Sequence, residues 1–458
     1  MPRTSTRTAL PTSCEPVALP GGEREFDGEL RARIADRSAR VGVIGLGAVG
    51  LPLAEAFLEA GFRVEGYDSD AQRVAELTRG LNPLEHLAPG MVQRMRACGR
   101  FEPSADESRL AELDVALVCV PTPLDSRGAP DLGCVRAAAR MLAQRLPAGA
   151  LIVLESTTWP GTTREVLGEI LRAHGRAPGE DLLLAYSPER EDPGREGART
   201  ATIPKLVGGT CERSRRAAAE LYRAAVREVH EVSSAEIAEA AKLFENVFRA
   251  VNIALVNELK LVLERAGIDV WETLAAAGTK PFGFQRFAPG PGTGGQCIPV
   301  DPRYYAAFAQ ALGMRARLVE EADALNRAMP AHVVERTRAA LGSRGTSLEG
   351  ARVLVLGVAY KKDVDITSES PALEILRLFA AGGAEVAYSD PHVEELAPSG
   401  LRSRELDARA LESSDAVVLV TDHSRFDYAL VARHARLVVD TRRAFAERGL
   451  AHANVVGA

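Results

Sequence analysis

Cysteine is scarce. The 458 residues contain six, at Cys14, Cys98, Cys119, Cys134, Cys211 and Cys297. None forms a Cys-x-x-Cys pair or a metal-type spacing with histidine, so no zinc site is expected. Six are too few to staple a chain this long, which points to a reducing, cytoplasmic setting. No apolar run reaches the ~18–20 residues a membrane span requires. A basic excess is also missing. The formal net charge is -6, and without a basic stripe no nucleic-acid partner is expected. The first 38 residues lack the apolar core, roughly 7–15 residues long, of a signal peptide. Rich in Arg, Thr, Ser, Pro and Glu, they read as a disordered or loosely packed tail, 1–38.

What is present is a soluble, core-forming composition, 46% hydrophobic and 26% charged. The length calls for two or three domains. The run Val41-Gly-Val-Ile-Gly-Leu-Gly-Ala-Val-Gly50 reads as a strand entering Gly45-x-Gly47-x-x-Gly50, with a helical pattern to about Ala60. A second strand, Phe62 to Asp68, ends in an acid. Strand, glycines, helix, strand and acid in this register predict a dinucleotide site. Gly45 makes the turn, Gly47 admits the pyrophosphate, and Gly50 lets helix and strand pack. The helix N-terminus, entered at Val49, offers N–H groups to phosphate. Asp68 would accept from ribose hydroxyls and repel a 2′-phosphate, favouring NAD, with Arg73 placed to flank the adenine. Further buried strands end at Thr122 and at Glu155-Ser-Thr157, where the mouth of a parallel sheet places ligand-lining residues.

Leu182–Tyr186 leads to Glu189, a candidate general base at a strand end. From Ser234 to about Ala266 the pattern is one long helix, with Ser233-x-x-Glu236 read as its capping box and Gly267 as its stop. Its apolar residues cover more than one face, which predicts burial on several sides and self-association through this helix. Lys242 and Asn246, four apart, share a face. The stretch Gly290-Pro-Gly-Thr-Gly-Gly-Gln-Cys297 sets a thiol behind flexible glycines, with Asp301 four residues on. Such a loop suits a nucleophilic cysteine. A second set of strands follows from Arg352 to Asp440, with Lys361, Lys362 and Arg442 near strand ends.

These motifs together resemble the UDP-glucose/GDP-mannose dehydrogenase family over about residues 40–443. The strings carrying the resemblance are Glu155-Ser-Thr-Thr-Trp-Pro-Gly-Thr-Thr163, Ser187-Pro-Glu-Arg-Glu-Asp-Pro-Gly194, Pro281-Phe-Gly-Phe284, Pro289-Gly-Pro-Gly292 and Gly357-Val-Ala-Tyr-Lys-Lys-Asp363. The nearest branch oxidises UDP-N-acetylhexosamines. The resemblance implies an α/β fold of two Rossmann-like, doubly wound parallel-sheet domains joined by a long central helix, usually dimeric. It divides the chain into an NAD-binding domain (39–232), a central helix and catalytic-cysteine region (233–330) and a UDP-sugar-binding domain (331–458).

By the same resemblance, Cys297 is the nucleophile, Lys242 and Asn246 stabilise an alkoxide, Asp301 orients Lys242 or a water, and Glu189 assists proton transfer. Gly45, Gly47, Val49, Gly50, Asp68, Arg73, Thr122 and Thr157 serve the cofactor. Arg190, Arg249, Phe287, Gly292, Lys361 and Arg442 serve the substrate. The implied reaction is a four-electron oxidation of a sugar C6 hydroxymethyl to the carboxylate, consuming two NAD. UDP-N-acetylglucosamine is the expected substrate, with UDP-N-acetylmannosamine or UDP-glucose as alternatives. Degeneration to a nucleotide-sugar-binding protein is a further alternative. Two positions depart from the family pattern: Gln296 replaces a histidine before the cysteine, and Ser368 an arginine.

Overall fold

The computed structural model describes residues 22–84, 87–190, 200–397, 399–450 and 452–458. Two compact units divide the chain. One takes residues up to 122, then 132–190 and 200–240. The other takes 123–131 and 241–458.

The first unit is built on eight strands. They are β1 (Arg40–Ile44), β2 (Arg63–Tyr67), β3 (Phe101–Ser104), β4 (Val115–Val118), β5 (Leu151–Leu154), β6 (Leu183–Tyr186), β7 (Lys205–Gly209) and β8 (Val229–Val232). Their spatial order is β3-β2-β1-β4-β5-β6-β7-β8. All neighbours are parallel except β6 and β7. Strands β4, β5 and β6 are buried at every position, as continuous apolar runs covered on both faces must be. The order reverses direction between β1 and β4, the switch point where such sheets bind ligands.

The reading of residues 1–38 as a loose tail fails from residue 22 onward. Gly22–Ala35 is a helix, α1. Its Leu30 and Ile34, one turn apart, are buried in the core, and Arg31 and Arg33 pair with Glu220 and Asp114. A short apolar stripe on a charged background had been masked by the overall composition. Residues 1–21 lie outside the described part.

Other helices used below are α2 (Gly50–Glu59), α3 (Glu212–Arg223), α4 (Ala235–Arg265), α5 (Asp301–Ala311) and α6 (Arg317–Gly342). Helix α4 is the expected long helix, 31 residues. Its cap is one residue later than predicted. Ser234 Oγ accepts from Ile237 N at 3.4 Å, while Glu236 pairs with Arg164. The expected burial on several sides is incomplete in the single chain. Ile237, Phe244, Phe248, Leu255 and Val262 remain exposed, Phe244 at 64%.

The second unit holds a five-stranded parallel sheet and a small hairpin. Its strands are β9 (Arg352–Leu356), β10 (Glu385–Ser389), β11 (Glu395–Leu396), β12 (Leu401–Arg402), β13 (Ala416–Leu419), β14 (Val438–Asp440) and β15 (Val455–Gly457). The sheet order is β10-β9-β13-β14-β15, and β11 pairs with β12. The chain is therefore two Rossmann-like parallel sheets joined by a long helix, the fold expected from the sequence.

Candidate functional site

In the first unit the glycines do what their spacing asks. Gly45 has φ +99°, and a Cβ there would lie 2.7 Å from the Cys119 carbonyl. A Cβ on Gly50 would meet Gly45 O at 1.9 Å, whereas Gly47 faces open space. The backbone is thus closed where helix meets strand and open where a pyrophosphate would lie. Val49 precedes α2 without a capping side chain, which leaves the first-turn N–H groups available to phosphate. Asp68 closes β2. Its Oδ2 accepts from Leu46 N at 2.8 Å and its Oδ1 from Asp70 N at 2.9 Å. A carboxylate has four acceptor positions, so capacity remains for ribose hydroxyls. Arg73 lies 3.4 Å from Asp68. The donor set and the open glycine fit a dinucleotide without further assumption.

Thr122 and Thr157 sit half-buried past β4 and β5. A narrow cleft is lined by Val49, Leu53, Glu155, Glu189, Arg190, Thr200, Ile203 and Lys205. It brings the glycine loop together with the Ser-Pro-Glu segment. Arg190 donates to Pro204 O at 2.9 Å.

Behind this cleft is a polar network that the sequence did not announce. Lys205 and Glu155 form a fully buried ion pair. Tyr222 from α3 donates to the same carboxylate, and Lys205 also donates to Pro188 O at 2.8 Å. The network therefore holds the peptide next to Glu189. Its signal was a lysine opening an otherwise apolar strand, Lys205-Leu-Val-Gly-Gly209. A second buried acid, Glu239 on α4, accepts from Gly161 N, Thr163 N and Thr163 Oγ1. Burial pushes its pKa up to about 8 against those three hydrogen bonds.

In the second unit, α4 turns Lys242 and Asn246 to a buried face. Asn246 Nδ2 donates to Asp301 Oδ2 at 2.5 Å. Asp301 is the first residue of α5 and its N–H donates to Cys297 O at 2.8 Å. The half-buried cysteine is thereby tied to the start of the helix whose acid touches Asn246. Burial pushes Asp301 up to about pKa 6, while the Asn246 hydrogen bond and the Lys242 charge pull it down.

The glycine loop before Cys297 is fastened at both ends. Asn257 on α4 accepts from Gly290 N at 2.9 Å and donates to Asn326 on α6 at 3.1 Å. Gly295 N donates to Ser368 O at 2.9 Å, so the backbone of the departing residue Ser368 is used even though its side chain is not the family's arginine. Gly292 has φ +126° and packs near Asn326 O and Pro371.

The remaining substrate-side expectations are dispersed. Lys361 is half-buried after β9, and Arg249 is exposed on α4. Phe287 packs edge-on to Phe248, ring centroids 5.9 Å apart. Arg442 follows β14 and donates through Nε to Val420 O at 2.9 Å.

Three family models match in order: the NAD binding domain of the UDP-glucose/GDP-mannose dehydrogenase family at residues 39–226, its central domain at 236–328 and its UDP binding domain at 354–447. The chain belongs to the UDP-glucose/GDP-mannose dehydrogenase family. It is 33% identical over 400 residues to a UDP-N-acetyl-D-glucosamine 6-dehydrogenase of Pseudomonas aeruginosa, covering 85% of this chain and 92% of that one. It is equally 33% identical over 390 residues to a UDP-N-acetyl-D-mannosamine dehydrogenase of Pyrococcus horikoshii, covering 84% and 90%. The structure of the UDP-D-ManNAc dehydrogenase from Pyrococcus horikoshii superposes with a TM-score of 0.83 at 30% identity, covering 91% of this chain and 98% of that one.

The protein is accordingly an NAD-dependent oxidoreductase of the nucleotide-sugar 6-dehydrogenase family, with a UDP-sugar as substrate. No helix among the described residues is long and apolar enough to cross a membrane.

Proposed function

We propose that the protein oxidises the C6 hydroxymethyl of a UDP-N-acetylhexosamine, UDP-N-acetylglucosamine first among them, to the uronic acid through a covalent intermediate on Cys297. The observation that carries this reading is the Asn246–Asp301 hydrogen bond. It fixes the helix that begins four residues after Cys297 against the face of α4 that also carries Lys242.

The glycine loop and Asp68 hold NAD, which supplies hydride acceptance when bound. Lys242 and Asn246 stabilise the alkoxide from which the first hydride leaves, by charge and by hydrogen bond. The Cys297 sulfur then adds to the aldehyde carbon and forms a C–S bond, giving a thiohemiacetal. Loss of the second hydride converts it to a thioester. Water, deprotonated with help from Glu189, adds to the thioester carbon. The C–S bond breaks, and the thiol recovers its proton. In all, one water is consumed, two hydrides leave and three protons are released with the carboxylate. Covalent capture keeps the aldehyde from escaping between the two oxidations.

On this reading the chain divides at 39–232, 233–330 and 331–458, as the sequence suggested. The exposed stripe Phe244, Phe248, Leu255 and Val262 supports self-association through α4, because apolar patches of this kind mark interfaces. A reduced cysteine nucleophile suits a cytoplasmic setting. Relatives named for the mannosamine and glucosamine sugars are equally similar, so both sugars belong in the assay.

The test is NADH formed per nucleotide sugar consumed, with excess NAD. The expected ratio is two, and Cys297→Ala is expected to yield no acid. A ratio of one, or acid formed by the alanine variant at the wild-type rate, would sink the covalent mechanism.

A further inference from the structure

A buried ion pair is weak grounds for stability, because desolvating two charges offsets most of their attraction. The pair between Lys205 and Glu155 is an extreme case. Glu155 has no exposure and Lys205 only 4%. Lys205 opens β7, and Glu155 directly follows β5. Two apolar side chains of similar volume would hold these strands as well, so the charges serve something else.

What they hold is one peptide group. The Pro188 carbonyl and the Glu189 N–H belong to the same planar amide. Lys205 Nζ donates to Pro188 O at 2.8 Å, and Glu189 N donates to Glu155 O at 3.3 Å. Both polar ends of that plane are thus fixed by the two members of the pair. The Glu189 Cα lies in the same plane, so the clamp fixes the atom from which the side chain departs. Upstream, the Pro188 ring restricts the backbone, and Ser187 N donates to Leu154 O at 3.0 Å.

The pair is itself braced. Tyr222, fully buried on α3, donates to the other Glu155 oxygen. Its ring centroid lies 5.2 Å from Lys205 Nζ. Each charge therefore has a second partner that restricts its rotamers. Lys205, Glu155 and Glu189 all line the same cleft.

We propose that Lys205 and Glu155 act together as positioning residues for Glu189, and that the step they serve is hydrolysis of the Cys297 thioester. This rests on the covalent mechanism proposed for Cys297 and gives a role within it to two residues that carry no chemistry themselves. In that step water adds to the thioester carbon and its proton passes to the Glu189 carboxylate. The C–S bond breaks with its electron pair on sulfur, and the sulfur recovers a proton. The hydride steps depend on Lys242, Asn246 and NAD, so the clamp governs release of the acid and leaves both oxidations alone. A proton acceptor displaced by ~1 Å loses about a hundredfold in rate.

The test compares the wild type with the double variant Lys205→Met/Glu155→Gln. Removing both charges together leaves neither buried and unpaired. The Glu155 backbone carbonyl stays, and the contact to Pro188 O is deleted. Each protein is mixed rapidly with NAD and UDP-N-acetylglucosamine, and in parallel with UDP-N-acetylmannosamine and UDP-glucose. The double variant is expected to release its first two NADH per active site at a rate within threefold of the wild type. Its steady-state rate is expected to fall at least tenfold, with an acyl adduct on Cys297 in the intact mass spectrum. Tyr222→Phe, which deletes one donor to Glu155 and keeps the packing, is expected to slow the steady state in the same selective way but less. Should the double variant not fold, this second variant decides alone.

First-turnover and steady-state rates that fall in proportion, with no acyl adduct, overturn the proposal and leave the covalent mechanism standing. An unchanged steady state in the double variant does the same. A wild type that forms no NADH with any of the three sugars, or a Cys297→Ala variant that forms acid at the wild-type rate, removes the mechanism and the proposal with it.

Discussion

The two parallel sheets place an aspartate at the same topological position and use it differently. Asp68 ends β2 and accepts from the loop after β1. Asp390 follows β10 and accepts from the loop after β9, at Val358 N (2.7 Å) and Ala359 N (3.2 Å). Asp68 accepts from two backbone donors and, at 3.4 Å, from the Arg73 guanidinium, with a side chain 9% exposed. Asp390 takes three more partners, His392 N, Val393 N and His423 Nε2, and its side chain is fully buried. One carboxylate retains acceptor capacity for a ligand, whereas the other is saturated by its own chain. A switch-point acid is thus not by itself a ribose reader. The lone pairs left over decide.

Breaking the saturated acid should cost most. Asp390→Asn places an amide among five donors and should destabilise the fold by about 3 kcal/mol or more, read from urea unfolding. Burial raises the Asp390 pKa, but the hydrogen bond and charge of His423 and the backbone donors outweigh it, so the group is held below its ordinary value. Its contribution is therefore present above pH ~4, the unfolded value, and is lost as pH falls through the folded value. The asparagine variant should lose that acid-side slope. An equal loss from Asp68→Asn would erase the contrast between the halves.

The expected effect of Asp68→Asn is smaller and lies elsewhere. NAD should bind about tenfold more weakly, ~1.4 kcal/mol, with stability nearly unchanged, as titration of NADH fluorescence would show.

A third acid gives the smallest effect, a change of profile rather than of fold. Burial pushes the Asp301 pKa up to about 6, against the pull of the Asn246 hydrogen bond and the Lys242 charge. If its charge supports Lys242, the rate should rise through about pH 6 in the wild type and lose that limb in Asp301→Asn. A limb that persists in the variant assigns it to another group.

The first sheet was largely legible because glycine spacing, a closing acid and apolar runs each encode local geometry. Lys242 and Asn246 were legible as a pair because a helix brings residues four apart together, and Asp301 because it follows the cysteine by one helical turn. The rest depends on partners distant in sequence. Asp390 has no GxGxxG ahead of it, since Val358 and Ala359 supply their N–H groups from a turn with only one obligatory glycine, Gly357, where a Cβ would strike Thr421 O at 2.3 Å. Lys205 and Lys260 read alike as lysines in apolar segments. Only the fold shows that the first meets Glu155 and Tyr222 while the second has no hydrogen-bond partner among the described residues. The stripe on α4 is as apolar as a core, and sequence periodicity cannot say whether its cover comes from the same chain.

The nine residues 123–131 follow the NAD-side strand β4 but belong to the unit that carries Cys297. Tyr304 on α5 donates to both Pro123 O and Asp131 O, each at 3.3 Å, and Arg303 to Gly128 O at 3.2 Å. The protein is consequently not modular along its sequence. A fragment cut at residue 240 carries away a flap whose anchors stay behind. A chimera that imports a relative's first 240 residues must import matching positions 303 and 304 as well. A crossover between family members at residue 240 therefore parts this short segment from the helix that holds it.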